Sequence, residues 1–486
     1  MVRNIGPAAL AALLGEGWRR PGAAAVALAD SLRGLVVDGR LPVQTRIPSE
    51  RALAPELGVG RGTVSRAYDR LREEGFLISD RGAGSRLVLP PGRPGAPVGP
   101  PVPGSVAPQA LDLTIAALPG PEPLLAEVMD PAVRAFRALV ASHGYAAAGI
   151  PALREALAER FTARGAPTTA DQVLVTAGAQ HALHLVLTLL CAPGDRALLD
   201  APTYPRTLAA LRTARVRAVG VPLGPQGWDV DAWRASLTVV APRVALTIPD
   251  FHNPTGLTMA ASDRAALAEA CARAGSTLVV DETMTELRLD GPAVPAPVCA
   301  FDPGAAVITV GSMSKAAWGG LRLGWIRASP ALVRDLAAVR ADLDMASPAF
   351  EQALSVELLA RWDEVLANRR ALLRPRRDAL LAALDRHAPG WSLRVPHGGL
   401  SAWIRLPGAG ATALAAEAAR DGVLITPGPA FSVDGTFEHH LRLPFSAAPQ
   451  VLEEGVRRLA AYAHDLGELA GPGRAPAPHP SGSGAI

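Results

Sequence analysis

The sequence predicts a multidomain chain: a small helical module at the N-terminus, and a large α/β domain built on a mostly parallel sheet. Three observations predict this division. The chain has 486 residues, too many for one ordinary domain. Eight prolines and four glycines lie within residues 90–108, a composition typical of a semi-rigid spacer. Beyond the spacer, short Val/Leu/Ile runs alternate with longer helical stretches, as in a parallel sheet covered on both faces.

The domain boundaries are expected where the composition changes. Residues 1–89 form the N-terminal module, residues 90–111 the spacer and residues 112–467 the large domain. Residues 468–486 end in a stretch rich in Pro, Gly and Ser and are expected to be a disordered tail.

Composition argues against several classes of protein. The three cysteines, Cys191, Cys271 and Cys299, are odd in number and lack CxxC spacing, which argues against a disulfide framework or a zinc ribbon and favours a reducing cytoplasm. The apolar run over residues 5–14 is short and contains Pro7, so we expect an amphipathic helix rather than a signal peptide. No run of about 20 apolar residues suggests a membrane span. We therefore expect a cytoplasmic protein with no membrane segment and no metal site.

Charge is unevenly distributed along the chain. The 48 basic residues are 47 arginines and a single lysine, Lys315. A coding bias would replace lysine by arginine wherever only positive charge matters, so position 315 raises the question of chemistry that arginine cannot perform. Residues 1–90 carry 13 Arg and 9 acidic residues, a net charge of +4, and the remainder carries 35 basic and 36 acidic residues, a net charge of −1. A basic module on a near-neutral body is a weak indication of nucleic-acid binding.

The pattern of the N-terminal module predicts three helices and a hairpin. The first helix is expected over residues 23–38. Ser49 is the expected N-cap of a short second helix that ends near Leu57-Gly58. A third helix, over residues 61–74, has apolar residues at i, i+3, i+4 and i+7 spacing. Two short apolar runs flank Arg81-Gly82-Ala83-Gly84 and predict a hairpin wing.

Two short helices joined by a tight turn, with arginines on the outer face of the second, are typical of a DNA-binding helix-turn-helix. A generic helical subdomain with a solvated charged face is the alternative. The string Ile-Pro-Ser-Glu-Arg-Ala-Leu-Ala over residues 47–54, followed by Leu-Gly-Val and Arg-x-Thr-Val, resembles the GntR-type winged-helix domain. The resemblance implies that Ser49, Arg51, Arg61, Thr63, Arg81 and Gly82 contact double-stranded DNA, and Ser65 and Arg66 share the outer face of the same helix. Gly60 stands where that family usually has serine, so one phosphate contact is lost.

Five apolar runs predict buried strands of the large domain: residues 172–176, 197–200, 243–248, 277–280 and 305–310. Ligands of such sheets bind at the carboxyl ends of the strands, so the residues that follow each run are candidate site residues.

Three of these strand ends carry groups that could bind a ligand. Gly178-Ala179-Gln180 opens an apolar helix and leaves N–H groups for a phosphate, with a plain strand–helix turn as the alternative. Asn253, in His-Asn-Pro-Thr-Gly, offers a side-chain amide. Asp281 ends a buried strand, where it would either pair with a ring N–H of a ligand or cap a helix.

The fifth run is followed by Gly-Ser-Met-Ser-Lys, which ends in the lone lysine. Lysine forms a Schiff base with a carbonyl compound, whereas the guanidinium of arginine stays protonated and cannot. Ser312, Ser314 and Arg322 could hold a phosphate ester nearby.

Asn253, Asp281 and Lys315, in the motifs Asn-Pro-Thr-Gly and Ser-x-Ser-Lys, together resemble the fold-type I aminotransferase family over roughly residues 112–467. The resemblance implies an α/β transferase domain with a small C-terminal subdomain. It also implies pyridoxal 5'-phosphate as cofactor, bound covalently to the catalytic Lys315. Asp281, also catalytic, would pair with the ring nitrogen, and Asn253 would bind the ring 3-oxygen. The phosphate would be bound by Gly178, Ala179, Gln180, Ser312, Ser314 and Arg322.

Three further residues gain roles from the same resemblance. Tyr204 would stack near the ring, and Tyr145 lies in a segment that in the family reaches the site of the partner subunit. Arg442 would grip a substrate or effector carboxylate, with a surface ion pair as the alternative. The family usually has a tyrosine two or three residues after the aspartate, where this chain has Thr283 and Met284. Methionine cannot donate to the ring 3-oxygen, and threonine is shorter than tyrosine.

The two halves together resemble the MocR-type regulators over nearly the whole chain. The resemblance implies a head-to-tail homodimer that binds repeated DNA half-sites, with pyridoxal phosphate or an amino compound reacting with it as effector. An active pyridoxal-phosphate-dependent aminotransferase with an accessory DNA-binding domain is the alternative. A cofactor-free scaffold that binds only DNA or protein is the third hypothesis.

Overall fold

The computed structural model describes residues 4–15, 24–37, 41, 45–73, 75–80, 84–87, 110–302, 304, 306–408 and 410–470. The predicted DNA contacts Arg81 and Gly82 lie outside the described residues, as do residues 88–109 of the spacer region and residues 471–486 of the predicted tail.

The N-terminal module combines short helices with a small sheet. In chain order its elements are α1 (Pro7–Leu14), α2 (Ala24–Val37), β1 (Arg46–Ile47), α3 (Glu50–Glu56), α4 (Arg61–Glu73), β2 (Leu77–Asp80) and β3 (Gly84–Leu87). The sheet has the order β1-β3-β2, and β3 is antiparallel to both neighbours. The predicted three helices and the hairpin are confirmed, and α1 is the helix expected over residues 5–14.

The helix-turn-helix is built by local signals that the sequence carries. The amide of Ala52 donates to Oγ of Ser49 at 3.3 Å, so the predicted N-cap of α3 is confirmed. Gly58 has a φ of 62°, the left-handed conformation that glycine adopts after a helix end, and it turns the chain toward α4. The apolar face of α4 is buried among α2, α3 and the sheet, with Val64 and Leu71 fully inaccessible.

The large domain contains a central sheet, a smaller C-terminal sheet and the helices that cover them. Its first half comprises β4 (Leu111–Asp112), α5 (Leu124–Glu127), α6 (Met129–Leu139), α7 (Pro151–Ala163), β5 (Val173–Thr176), α8 (Ala179–Leu190), β6 (Arg196–Ala201), α9 (Pro205–Thr213), β7 (Arg217–Pro222), α10 (Val230–Val240), β8 (Val244–Thr247), α11 (Ala261–Arg273) and β9 (Thr277–Asp281). Its second half comprises β10 (Val307–Ser312), β11 (Gly324–Arg327), α12 (Pro330–Ala341), α13 (Ala349–Ala360), α14 (Trp362–His387), β12 (Ser392–Leu393), β13 (Ser401–Arg405), α15 (Ala411–Arg420), β14 (Val423–Leu424), β15 (Thr426–Pro427), β16 (His440–Pro444) and α16 (Pro449–Ala470).

The central sheet has seven strands in the order β5-β11-β10-β9-β8-β6-β7. Every neighbouring pair is parallel except the two that involve β11, which runs antiparallel to β10 and β5. The predicted mostly parallel sheet is confirmed. The sequence did not reveal β11, because this four-residue strand opens with glycine and carries no apolar run.

Helices cover both faces of the central sheet, as the continuous apolar strands predict. Successive strand residues pack into different cores: Leu198 and Leu278 lie in one, Leu199 and Val279 in the other. Since strand side chains alternate between faces, each strand is buried on both sides. Truncation of one such leucine to alanine is expected to cost about 2–5 kcal/mol.

The C-terminal subdomain is built on the sheet β12-β13-β16-β15, and β4 pairs in parallel with β14 at its margin. Two limits differ from the sequence prediction. Leu111 belongs to β4 rather than to the spacer, and α16 continues to Ala470, past the predicted start of the tail at residue 468. In the described ranges, no helix has both the length and the apolar composition needed to cross a membrane.

Candidate functional site

Two adjoining cavities lie at the carboxyl ends of the central strands. The first has a volume of about 240 Å³, and the predicted residues among its lining are Gly178, Ala179, Gln180, Tyr204, Asp281, Ser312, Ser314, Lys315 and Arg322. The second has a volume of about 520 Å³ and adds Asn253 and Arg442. It shares Gln180, Tyr204, Lys315 and Arg322 with the first cavity. The fold thus brings together residues spread over more than half of the chain.

One corner of the first cavity is suited to an anion. The helix α8 begins directly after Gly178, and the N–H groups of its first turn have no acceptor within the helix. Gly178 has a φ of 98°, and a Cβ there would lie 3.2 Å from Nη2 of Arg322. The backbone of Arg322 also has a left-handed conformation. Its Nη2 donates to the carbonyl of Ala177 at 3.0 Å, and this hydrogen bond holds the guanidinium beside the start of α8.

Two serine hydroxyls complete this corner. Oγ of Ser312, at the end of β10, donates to Oγ of Ser314 at 3.0 Å, and the amide of Ser314 donates back to Oγ of Ser312 at 3.1 Å. Hydroxyl groups, helix amides and a guanidinium are donors that recognise phosphate oxygens.

Lys315 lies in the π-helical turn that follows β10. Its Nζ donates to the carbonyl of Ala116 at 2.8 Å. Burial and, to a smaller extent, the charge of Arg442 lower the pKa of Lys315 to about 8, although the charge of Asp281 acts to raise it. The amine is therefore half neutral near pH 8, which suits attack on a carbonyl carbon.

Asp281 is the last residue of β9 and faces the same cavity as Lys315. The amide of Thr283 donates to its Oδ1 at 2.9 Å. Burial raises the pKa of the Asp281 carboxyl, while the hydrogen bonds from Thr283 and the charge of Lys315 lower it. A carboxylate in this setting favours a positively charged or N–H partner within the cavity.

The turn that carries Asn253 is held by a buried polar network that the sequence did not reveal. His252 bonds through Nδ1 to Oγ1 of Thr255 at 3.0 Å, and its Nε2 lies 3.6 Å from Oδ2 of Asp200. Asp200, at the end of β6, also accepts hydrogen bonds from Trp228, Thr247 and Ile248. Asn253 is buried, and its Oδ1 has no hydrogen-bond partner among the described residues. A polar ligand atom would satisfy this side chain.

Arg442 lies in the middle of β16 and is only 5% exposed. Its Nη2 donates to the carbonyl of Thr114, and its Cζ lies 5.4 Å from the centre of the Phe431 ring. Burial lowers its pKa to about 10. Among the described residues no carboxylate lies within ion-pair distance of Arg442, and its Nε has no partner. The alternative of a surface ion pair is therefore wrong, and a buried cation faces the second cavity.

The structure adds a second cation that the sequence prediction missed. Arg206 lines the same cavity as Arg442 and follows Tyr204 at the start of α9. Gln180 donates from Nε2 to the Arg206 carbonyl at 3.3 Å, which links α8 to α9. No motif marked Arg206; its nearness to Tyr204 in sequence is the signal that could have found it.

Tyr145 and the two residues predicted to replace a tyrosine after Asp281 differ in their position relative to the cavities. Tyr145 is 62% exposed, stacks on His143 with ring centres 5.9 Å apart, and lines neither cavity. Thr283 lines the first cavity, whereas Met284 is buried in the hydrophobic core. Of the two residues expected in place of a tyrosine, Thr283 is therefore the one that faces the cavity.

The outer surface of the helix-turn-helix carries the predicted DNA contacts. Arg51, Arg61 and Arg66 are exposed, Ser49 is exposed while it caps α3, and Thr63 and Ser65 are half-buried. Arg66 donates from Nε to the carbonyl of Gly62 at 3.2 Å. This face offers several positive charges to a phosphate backbone.

Arg72 ties this face to the wing, and no sequence motif marked it. Its Nη1 donates to Asp69 on α4 at 2.6 Å, its Nε to Ser79 on β2 at 3.0 Å, and its Nη2 to Ser85 on β3 at 3.3 Å. One guanidinium therefore joins helix α4 to both strands of the hairpin.

The residues present fit pyridoxal phosphate. The anion-binding corner matches its phosphate, the cavity carboxylate of Asp281 matches its ring nitrogen, and the buried amine of Lys315 matches its aldehyde. The described residues contain no group of three or more His, Cys, Asp or Glu side chains arranged to hold a metal ion.

Comparison with known proteins agrees with this geometry. Residues 110–459 match the aminotransferase class I and II family, and residues 24–87 match the gntR family of bacterial regulatory proteins. The first family and its solved structures imply pyridoxal phosphate as cofactor. The structure of LysN, an alpha-aminoadipate aminotransferase from Thermus thermophilus complexed with N-(5'-phosphopyridoxyl)-L-leucine, superposes with a TM-score of 0.65 at 32% identity, covering 74% of this chain and 92% of that one.

Two regulators are similar over much of the chain. The HTH-type transcriptional regulator TauR of Rhodobacter capsulatus is 30% identical over 466 residues, covering 87% of this chain and 93% of TauR. The probable rhizopine catabolism regulatory protein MocR of Rhizobium meliloti is 29% identical over 392 residues, covering 75% of this chain and 78% of MocR. The chain therefore belongs to the aminotransferase class I and II family and, with its gntR-family DNA-binding domain, has the domain composition of the MocR-type regulators.

Proposed function

We propose that this protein is a transcriptional regulator whose large domain binds pyridoxal phosphate through Lys315 and responds to that cofactor or to an amino compound. One observation carries the proposal. A buried lysine of lowered pKa, a cavity carboxylate and an arginine buried without a carboxylate partner among the described residues line two adjoining cavities. The other domain of the chain exposes arginines on a helix-turn-helix. A DNA-binding role supports a cytoplasmic location.

Each cavity residue has a distinct task in this proposal. Pyridoxal phosphate supplies an aldehyde that condenses with an amine and a ring that accepts electrons. Lys315 provides the amine, and Asp281 holds a proton at the ring nitrogen. Asn253 contacts the ring 3-oxygen, and Tyr204 packs against the ring. The phosphate is bound by Gly178, Ala179, Gln180, Ser312, Ser314 and Arg322, which form the anion-binding corner.

The second cavity suits an amino compound that carries an acidic group. Arg442 is a buried cation with no carboxylate partner among the described residues, so an incoming carboxylate would relieve its unfavourable burial. Arg206 adds a second positive group to the same cavity. A bidentate pair with Arg442 would place the amine of the compound toward Lys315, because both residues line this cavity.

The winged module is proposed to bind repeated half-sites of double-stranded DNA as part of a head-to-tail homodimer. Two copies joined by their large domains would present two recognition helices, and dimeric helix-turn-helix proteins bind paired half-sites for that reason. The exposed ring of Tyr145, outside both cavities of its own chain, supports a role toward the partner subunit.

Reduction with borohydride tests the covalent step directly. Incubation with pyridoxal phosphate and reduction should add a phosphopyridoxyl group to the peptide that contains Lys315, and should label no side chain of a Lys315→Arg variant, which has no lysine at all. The same wild-type protein should bind duplex from upstream of its gene more tightly than random duplex at physiological salt. An unmodified Lys315 peptide, or equal affinity for both duplexes, would contradict the proposal.

An active aminotransferase with an accessory DNA-binding domain is the second candidate. The simultaneous presence of Lys315, Asp281 and Arg442 at the cavities favours it. Thr283 in place of the usual tyrosine weakens it, since threonine is too short to replace the phenol. A coupled assay for oxo-acid product over a panel of amino acids separates the two candidates: turnover supports the enzyme, and its absence with intact labelling of Lys315 supports the regulator.

A further inference from the structure

The chain segment that follows the spacer passes over the candidate site as a strap, defined here as residues 113–120. It lies between β4 and α5 and has no regular secondary structure. Among the described residues, the backbone of 114–119 makes no hydrogen bond to another backbone group. The strap is therefore held by side chains from the rest of the domain.

Four carbonyl oxygens of the strap accept side-chain hydrogen bonds: Thr114 from Nη2 of Arg442, Ile115 from Oγ of Ser446 at 2.7 Å, Ala116 from Nζ of Lys315 at 2.8 Å, and Pro119 from Nη1 of Arg369 at 2.8 Å. Two of these donors, Lys315 and Arg442, are the groups that the proposed function assigns to the cofactor and to the effector. The other two, Ser446 and Arg369, line neither cavity.

Cofactor binding competes for the first of these donors. A neutral lysine amine gives up both of its hydrogens as water when it condenses with an aldehyde, so its nitrogen afterwards carries at most one proton. The hydrogen bond from Lys315 to Ala116 is then weakened or lost. Arg442 keeps its bond to Thr114 when a carboxylate binds, because its guanidinium has five N–H donors and its Nε has no partner among the described residues.

The strap directly follows β4, the first element of the large domain reached from the DNA-binding module. Leu87 ends β3 and Leu111 begins β4, and 23 residues of chain join them. β4 pairs with β14 and so anchors the end of the spacer. At its other end the strap meets the lysine turn, since a Cβ on Gly120 would lie 3.7 Å from the Trp318 ring. Because strap and β4 are continuous, a shift of the strap acts directly on this anchor.

We propose that the strap couples the cavities to the DNA-binding module: when the cofactor engages Lys315, Ala116 is released, and the anchor of the spacer moves. This inference rests on the proposed function and names its regulatory element. The cofactor can shift the balance because it binds in place of a contact that favours the anchored strap, which is the differential interaction that coupling requires.

Ser446→Ala tests the strap without touching either cavity. The variant removes the hydroxyl bond to Ile115 and leaves Lys315 and Arg442 in place. Ser355→Ala is the matched control, since its buried hydroxyl also donates to a carbonyl at 2.7 Å, but to Glu351 within its own helix. Both variants, as full-length chains, are compared with the wild type in the absence and presence of pyridoxal phosphate. The measurements are hydrogen–deuterium exchange of residues 113–118 and affinity for the upstream duplex.

Pyridoxal phosphate is expected to accelerate exchange in the wild-type strap and to change the DNA affinity. Ser446→Ala without cofactor should already exchange about 2–10 times faster, the effect of one lost hydrogen bond, and its DNA affinity should move toward that of the cofactor-bound wild type. Ser355→Ala should match the wild type. If Lys315 is labelled after reduction but Ser446→Ala behaves as Ser355→Ala does, the strap inference alone is wrong. If Lys315 is not labelled, the proposed function falls as well.

Discussion

The backbone amide of Thr283 donates a 2.9 Å hydrogen bond to Oδ1 of Asp281, so this carboxylate is oriented by the residue two positions after it. The oriented carboxylate faces Lys315 across the cavity, and its charge raises the pKa of the lysine, whereas the charge of Arg442 lowers it. Burial has the largest effect on the pKa of Lys315, and these two charged residues adjust it in opposite directions.

Asp281→Asn and Arg442→Met are expected to shift the pKa of Lys315 in opposite directions. In the wild type, the rate of labelling by pyridoxal phosphate and borohydride should rise through a pKa of about 8 and level off above it, because only the neutral amine reacts. Asp281→Asn should lower this midpoint and Arg442→Met should raise it. Peptide mapping over a pH series measures both. Shifts of the same sign in the two variants would contradict this account of the site.

Arg72→Lys and Arg72→Met are expected to weaken DNA binding, because neither side chain can join α4 to both wing strands. Each variant should also lower the free energy of unfolding of the winged module by about 1–2 kcal/mol. Binding to the upstream duplex and chemical denaturation of the full chain are the measurements. Arg234→Met is the matched control, since Arg234 also pairs with an aspartate three residues earlier, at 2.8 Å, but on the large domain. A lysine variant equal to the wild type would show that the fork-shaped bonding of Arg72 has no role.

Arg61→Ala and Arg66→Ala should each reduce the salt dependence of DNA binding by about one unit of slope in a plot of log affinity against log salt, because each removes about one phosphate contact. Fluorescence anisotropy over a salt series measures the slopes. Arg273→Ala serves as control, since this side chain is 78% exposed but lies on the large domain. Unchanged slopes for the two helix α4 variants would remove that helix from the DNA interface.

Breaking the buried ion pair between Arg264 and Asp250 should destabilise the large domain strongly. Both side chains are fully inaccessible, and Asp250 also accepts a hydrogen bond from Thr285 at 2.8 Å. Arg264→Met leaves an unpaired buried carboxylate and should cost about 3–5 kcal/mol. Denaturation of the full chain measures this loss. The double variant with Asp250→Asn should lose less than the sum of the two single variants, since both remove the same interaction.

Much of the fold was predictable because its signals are local. The i, i+3, i+4 and i+7 spacing of apolar residues in α4, the N-cap at Ser49 and the continuous apolar strands each depend on a few neighbouring residues. The antiparallel strand β11 was not predictable, since four residues opening with glycine carry no distinctive pattern. The large domain begins at Leu111 and its last helix ends at Ala470 because of strand pairing and packing with residues far away in the chain.

The candidate site shows the same division. Lysine at position 315 could be recognised from the sequence, because no other residue type performs its carbonyl chemistry, and the strand-end positions of Asp281 and Asn253 followed from their motifs. The sequence could not show that Asp200 and His252 support the Asn253 turn, or that Arg206 joins Arg442 in one cavity. These contacts join segments far apart in the chain.

The amino-acid pattern alone therefore determined which elements form and which chemistry the strand ends offer, because periodicity and residue type are properties of short segments. Only the tertiary structure decided that Arg442 is a buried cation rather than a surface partner, that Arg72 ties the wing to α4, and that the strap rests on Lys315 through Ala116. The partners of a buried polar group are chosen by the packing of remote elements, since every donor removed from water must find an acceptor wherever the fold provides one.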